Sequence, residues 1–249
     1  MLSVQNDNHQ SSPLGDGAQA IILAGGLGTR LRTVVNDLPK CMAPVAGKPF
    51  LHYVIQHLLQ QGINEFIFSL GYLSESIENF LTQNYPALNY QVAIEKEPLG
   101  TGGAIQLAVK KSNKENVLVL NGDTLFAIDV KQLFAVHKDN DAYCTLCLKP
   151  MHNFDRYGVV ELNNKNEIIS FKEKQFYTDG YINGGVYAIN TKQFLQTGLP
   201  EKFSFEKDYL ERKVREHKFY GVVQNQYFID IGIPEDYERA QTELLQFNN

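Results

Sequence analysis

A chain of 249 residues, 43% of them apolar, has enough material to bury one large core. Its formal net charge of −5 is mild and its 23 lysines and arginines are scattered, which excludes the basic footprint of a nucleic-acid or membrane-surface binder. No apolar run reaches the roughly 18 residues of a membrane span, and the first residues lack a signal-peptide pattern, so a cytoplasmic protein acting on small molecules is expected.

Residues 1–17 are polar and turn-forming, through Ser11-Ser12-Pro13 and Gly15-Asp16-Gly17, and read as a flexible leader. From residue 18 strands and helices alternate, which predicts one domain over 18–249. The apolar run at 20–24 is a strand, 49–61 a helix with Pro49 in its first turn and Gly62 just past its end, and 66–70 the next strand. Ser74 is placed as the cap of a helix running to residue 81. A strand at 90–94, a helix at 101–111 and a short apolar strand at 117–120 follow. This βαβα order predicts an α/β fold, with a Rossmann-like, mostly parallel sheet between two helical layers and ligands at the carboxyl ends of the strands. Beyond residue 123 helix thins out. A helix at 129–137 precedes strands at 142–149, 158–162, 168–171 and 181–189; a helix at 205–216, strands at 219–224 and 227–229, and a closing helix at 234–247 complete the chain. That texture makes the second half of the sheet mixed.

The first strand empties into Gly25-Gly26-Leu27-Gly28-Thr29-Arg30-Leu31-Arg32, with Pro39-Lys40 soon after. Bare backbone N–H groups and guanidinium forks make such a loop a receptacle for phosphates. Two other glycine loops do not fit. A dinucleotide fingerprint begun at Gly26 would need glycine at Leu31, and a P-loop would need Gly-Lys-Ser/Thr. Further on, Glu95-Lys96-Glu97-Pro98-Leu99-Gly100-Thr101-Gly102-Gly103 follows a strand and opens a helix. Glycines there let a flat base approach the backbone, and Glu97 can accept the N–H groups of a base edge. Asn121-Gly122-Asp123 and Asp230-Ile231-Gly232 each set an aspartate at the carboxyl end of an apolar strand. Mg²⁺ takes one or two such carboxylates and fills its shell with phosphate and water. Cys144 and Cys147 lie on a strand at odd spacing, so their sulfurs point to opposite faces and no shared metal or disulfide is expected. The six histidines form no zinc pattern.

In this order the segments resemble the sugar-1-phosphate nucleotidyltransferases, whose signature G-G-x-G-T-R-L is followed shortly by P-K. The resemblance runs from about residue 18 to residue 240. It implies catalytic roles for Arg30, Lys40, Lys174 and Asp123, with Asp123 and Asp230 holding Mg²⁺. Leu23, Ala24, Gly25, Gly26, Gly28, Thr29, Glu97, Gly100, Thr101 and Gly122 are implied in nucleotide binding. Ser170 to Lys174 and Asn183-Gly184-Gly185 resemble the segments that hold the sugar phosphate. They imply Glu173, Lys174, Asn183 and Gly184 there, with Gly158 as a further backbone approach. Residues 18–125 are then the nucleotide-binding half and 126–249 the sugar-phosphate-binding half. The family often has proline where Thr33 and Cys41 stand, which changes loop rigidity and not charge. No hexapeptide repeat follows the last helix, so a catalytic unit without an added β-helix is expected.

The partners implied are a nucleoside triphosphate and a sugar 1-phosphate, with neither nucleic acid nor membrane; a homo-oligomer is left open. Within the family, residues 181–185, 203–208 and 227–237 are similar to the branch that couples GTP to D-glycero-α-D-manno-heptose 1-phosphate for surface glycans. A mannose-1-phosphate guanylyltransferase, an N-acetylmuramate-1-phosphate uridylyltransferase and a catalytically inactive binding homologue stay open as alternatives: uracil also offers an N–H to Glu97, while intact Arg30, Lys40, Asp123, Lys174 and Asp230 count against the inactive homologue.

Overall fold

The computed structural model describes residues 18–26, 38–172, 174–216 and 218–247. The leader expected over 1–17, and the site residues Gly28, Thr29, Arg30 and Glu173, lie outside the described residues. Strand β1 (Gln19–Leu23) precedes a 3-10 turn (Lys40–Met42), a short hairpin of β2 (Pro44–Val45) and β3 (Lys48–Pro49), and helix α1 (Phe50–Gln60). The alternation continues through β4 (Glu65–Leu70), α2 (Ser74–Asn84), β5 (Asn89–Ile94), α3 (Gly100–Val109) and β6 (Asn116–Asn121). Next come β7 (Thr124–Phe126), α4 (Val130–Asp139), β8 (Cys144–Phe154), β9 (Val159–Leu162), β10 (Ile168–Lys172) and β11 (Tyr177–Asn190). Helix α5 (Thr191–Leu195), a wide π-type turn (Phe205–Glu211), β12 (Phe219–Val223), β13 (Phe228–Asp230) and α6 (Pro234–Phe247) follow.

Alternation of apolar side chains along the strands decides how the sheet is covered. Ala20 and Ile22 of β1, with Leu118 and Leu120 of β6, face a core closed by α1, α2, α4 and α6. Ile21, Val117 and Val119 face a second core under α3, α5 and the π-type turn, where Phe194, Phe205 and Tyr209 pack edge to face. Three layers result, as expected. The nine-stranded sheet runs β10-β9-β11-β6-β1-β4-β5, with β8 on β11 and β12 on β8. Strands β6, β1, β4 and β5 are all parallel, whereas β11 joins β6 antiparallel and carries the second half. That half is mixed because β8 and β11 pair antiparallel while β12 adds to β8 in parallel. Cys144 and Cys147 fall in opposite cores, free and buried, and burial pushes both thiols up.

Local rules explain most helix ends. Gly62, at φ +86°, takes the left-handed position after α1, and the Asp129 carboxylate accepts the Gln132 N–H at 3.0 Å to cap α4. Ser74 does not cap α2. The cap position belongs to Leu73, held left-handed at φ 59°, ψ 32°, while the Ser76 hydroxyl donates back to the Leu73 carbonyl at 2.8 Å. The regular helix expected over 205–216 opens instead as the wide turn; at its start Asp208 Oδ2 accepts the Ser204 N–H at 2.8 Å, Ser204 Oγ accepts the Lys207 N–H at 3.2 Å, and Phe205 is fully buried.

Candidate active site

Two stretches far apart in sequence meet at the carboxyl edge of the sheet. Strand β7 starts just after Asp123 and pairs antiparallel with β13, Thr124 opposite Asp230, and the Ile231 amide donates to the Asp123 carbonyl at 3.1 Å. The 3-10 turn brings in Lys40, whose ammonium donates to Asp123 Oδ2 at 2.5 Å and to Asp230 Oδ1 at 3.5 Å. Asp230 Oδ1 also accepts the Gly232 N–H at 2.8 Å. A Cβ on Gly232 would stand 2.9 Å from Asp230 Oδ1 and 3.0 Å from Lys40 Nζ, so a side chain here would displace the two charged groups. Burial and the like charge of Asp123 raise the Asp230 carboxyl above its ordinary range, against the pull of Lys40. Two carboxylates around one ammonium leave a net negative charge made of hard oxygens, which fits Mg²⁺. Among the described residues no group of three or more His, Cys, Asp or Glu gathers, so a metal on this pair would complete its shell from phosphate and water.

A cavity of about 790 Å³ opens beside this cluster, over the carboxyl ends of β6, β1, β4 and β5. It is lined by Leu23, Ala24, Gly25, Gly26, Lys40, Glu97, Gly100, Thr101 and Asp123, so the structure gathers these sequence-predicted residues in one place. Gly25 lies tight against Gly71: a Cβ there would stand 3.0 Å from the Gly71 nitrogen and 3.1 Å from Glu95 Oε1. Gly26, by contrast, faces open space. Gly122 is buried behind the wall, its N–H donating to the Leu23 carbonyl at 2.8 Å. The glycines of the second motif also serve the chain itself. Gly100 has φ +74° with the Phe203 carbonyl pressed on it, and a Cβ on Gly102 would strike the Phe203 ring at 2.1 Å. The Thr101 hydroxyl is engaged, donating to Glu206 Oε2 at 2.8 Å and accepting the Phe205 N–H at 2.9 Å.

The sugar-side residues do not line this cavity. Gly158 sits between β8 and β9, and Lys174 is exposed between β10 and β11. The Asn183 amide donates to the Tyr187 hydroxyl at 2.9 Å and its oxygen accepts the Gly185 N–H at 3.0 Å, stabilising a register shift in β11. Gly184 lies under the Phe126 ring, and a Cβ on Gly185 would meet Asn121 Nδ2 at 2.6 Å. The Asn183 segment therefore backs directly on Asn121, a residue of the cavity wall.

Residues 19–246 match the model of the nucleotidyl transferase family. The chain belongs to that family. This nucleotidyl transferase is 51% identical to D-glycero-alpha-D-manno-heptose 1-phosphate guanylyltransferase of Aneurinibacillus thermoaerophilus, over 92% of this chain and 99% of the relative. It is 45% identical to the enzyme of the same name from Campylobacter jejuni, over 88% and 96%. In three dimensions it is similar to HddC from Yersinia pseudotuberculosis complexed with GMP-PN, with a TM-score of 0.81, 36% identity, and coverage of 91% of this chain and 99% of that one.

Several cavity residues of this nucleotidyl transferase escape a sequence reading. Glu95 is half-buried in the wall, its Oε2 accepting the Leu99 N–H at 2.8 Å, and burial raises its carboxyl. It stands at the carboxyl end of β5, the signal used for Asp123, yet Glu97 two residues on carries the same chemistry at the exposed rim. Asn121 ends β6 in the same way. Tyr72 carries no local motif, and Glu206 lies in the 203–208 segment without being singled out there; tertiary pairing puts both on the cavity.

Proposed function

We propose that this nucleotidyl transferase joins GTP to D-glycero-α-D-manno-heptose 1-phosphate, releasing pyrophosphate and GDP-heptose for surface-glycan synthesis in the cytoplasm, the compartment that supplies nucleoside triphosphates. The likeness to two enzymes named for that substrate, over nearly the whole of each chain, carries the choice of base and sugar. A phosphate oxygen of the sugar 1-phosphate attacks the α-phosphorus of GTP in line. A new O–P bond forms, the α–β bridging bond breaks, and its electron pair leaves on pyrophosphate. The attacking oxygen is already anionic, so no general base is needed and the protein works by positioning and charge neutralisation.

In this reading the cavity over residues 18–125 takes the nucleotide, and residues 126–249 take the sugar phosphate. Lys40 and Arg30 neutralise the triphosphate and the departing pyrophosphate, and Lys174 grips the sugar phosphate with Glu173, Asn183, and the backbone of Gly158 and Gly184. Glu95 and Glu97 offer acceptors to the adjacent N1–H and N2–H₂ of guanine, a pair of donors that adenine lacks. Asp123 and Asp230 would hold Mg²⁺, which when bound supplies positive charge to the phosphates.

The test is competition among GTP, ITP, UTP, CTP, ATP and dTTP at equal concentration with the heptose 1-phosphate, read by product mass. GTP is expected to dominate. ITP, which lacks the amino group, should fall behind by roughly 1–3 kcal/mol in kcat/KM if a buried acceptor is left unpaired. Preferred use of UTP or dTTP contradicts the guanine assignment and leaves nucleotidyl transfer standing.

A further inference from the structure

The cavity has two ends of different chemistry. Lys40, Asp123 and Gly232 stand at the β1–β6 end, and Gly71, Tyr72, Glu95 and Pro98 at the β4–β5 end. We propose that Tyr72 is the stacking surface for the nucleobase at the β4–β5 end. The assignment rests on the nucleotide reading above and deepens it by naming what holds the face of the base.

Among the exposed large apolar side chains of the described residues, Tyr72 alone lines this cavity. It is 59% exposed and makes no hydrogen bond or ring contact with any described residue, while tyrosines such as Tyr53, Tyr187 and Tyr209 are buried. An aromatic ring left wet on the wall of a cavity is a surface awaiting an apolar or π partner.

The backbone on both sides of Tyr72 is closely held, and on the Leu73 side at a cost. Gly71 lies against Gly25, and a Cβ on it would stand 3.0 Å from the Gly25 carbonyl oxygen. Leu73 is left-handed at φ 59°, ψ 32°, an unfavourable state for a bulky side chain, and Ser76 holds it there by bonding its carbonyl through both N–H (3.1 Å) and hydroxyl (2.8 Å). Strain kept up by neighbouring bonds at the rim of a cavity marks a residue whose position matters.

The recognition chemistry at this end is otherwise incomplete. Glu95 and Glu97 can read the edge of a base, but a carboxylate gives nothing to its face. Stacking on an aromatic ring supplies that contact.

The chain contains no tryptophan, so Tyr72→Trp introduces a single indole at this point. Its emission should be quenched saturably by GTP and left unchanged by inorganic tripolyphosphate, which carries the charge without the base. In calorimetry Tyr72→Phe should bind GTP within about twofold of the parent protein, and Tyr72→Ala should bind it roughly tenfold or more weakly, the loss expected from removing one stack. Tripolyphosphate affinity should stay the same in every variant. An indole that saturating GTP does not quench overturns the assignment while nucleotide binding stands, as does a Tyr72→Ala protein that binds GTP like the parent or loses both ligands equally. A parent protein that binds tripolyphosphate but no GTP overturns the nucleotide reading and the assignment with it.

Discussion

Lys40 is shared by two carboxylates that it cannot both neutralise, so the consequences of removing either carboxylate differ for folding and for turnover. With Asp123→Asn, Asp230 keeps Lys40 as its partner and, though still raised by burial, loses the like charge that raises its carboxyl further, so stability should hold or rise slightly. Turnover should fall by at least about a hundredfold, since the phosphates lose the counter-charge anchored on the pair. Denaturant midpoints and kcat measured on the same preparation check both halves; turnover within tenfold of the parent would contradict the role of the pair. These two aspartates were legible in the sequence because two apolar strands end in one each; either alone reads as well as a turn or a cap, and Asp230 does hold the Gly232 N–H. Glu95 was not, because it and Glu97 are chemically alike, and only the fold of the loop puts one in the wall and the other on the rim.

Among the elements, α4 is tied to the sheet by a buried histidine. His137 is 1% exposed, with Nδ1 2.9 Å from Thr145 Oγ1 on β8 and Nε2 3.0 Å from Asn116 Oδ1 on β6. The amide oxygen can only accept, so the neutral Nε2–H tautomer satisfies both contacts. Burial, with Lys138 nearby, lowers its pKa to about 4. The unfolded chain takes up a proton near the ordinary histidine pKa of about 6.5 while the native chain does not until about 4, so stability is lost as pH falls through that window. Between pH 7 and pH 5 the parent protein should lose roughly 2 kcal/mol more than His137→Gln, whose other titrating groups are the same. Urea midpoints at the two pH values measure the difference, and equal losses would contradict it.

The helices were read to within about three residues where their apolar periods are strong, and α6 begins and ends where its pattern does, but β8 runs five residues past its expected end and β11 starts four before its expected start. The three-residue β7, the five-residue α5 and the β2–β3 hairpin are too short to show a period, and they exist because tertiary partners hold them. The Gly100-Thr101-Gly102-Gly103 motif was legible as a candidate site, and Gly100 and Thr101 do line the cavity, but it was not legible as the seat of the 201–206 segment. That contact spans about a hundred positions of sequence, which no local pattern reports.

At the scale of the whole molecule, a parallel half whose strand ends line the cavity is joined through β6 and β11 to a mixed half that returns Asp230 to the same edge. The Asn183 segment backs on Asn121 in the wall between them, so the two substrates of the proposed reaction would meet across β6. The proposed reaction has one requirement above others: the bond broken lies between the α- and β-phosphates, and the α-phosphoryl group with its nucleoside passes to the sugar phosphate. Parallel reactions with GTP labelled at the α- or the γ-phosphorus, each with D-glycero-α-D-manno-heptose 1-phosphate, test it most directly. The α label should appear in GDP-heptose and the γ label in pyrophosphate. Appearance of the γ label on the sugar or as free orthophosphate, with no α label in a nucleotide sugar, would contradict the account.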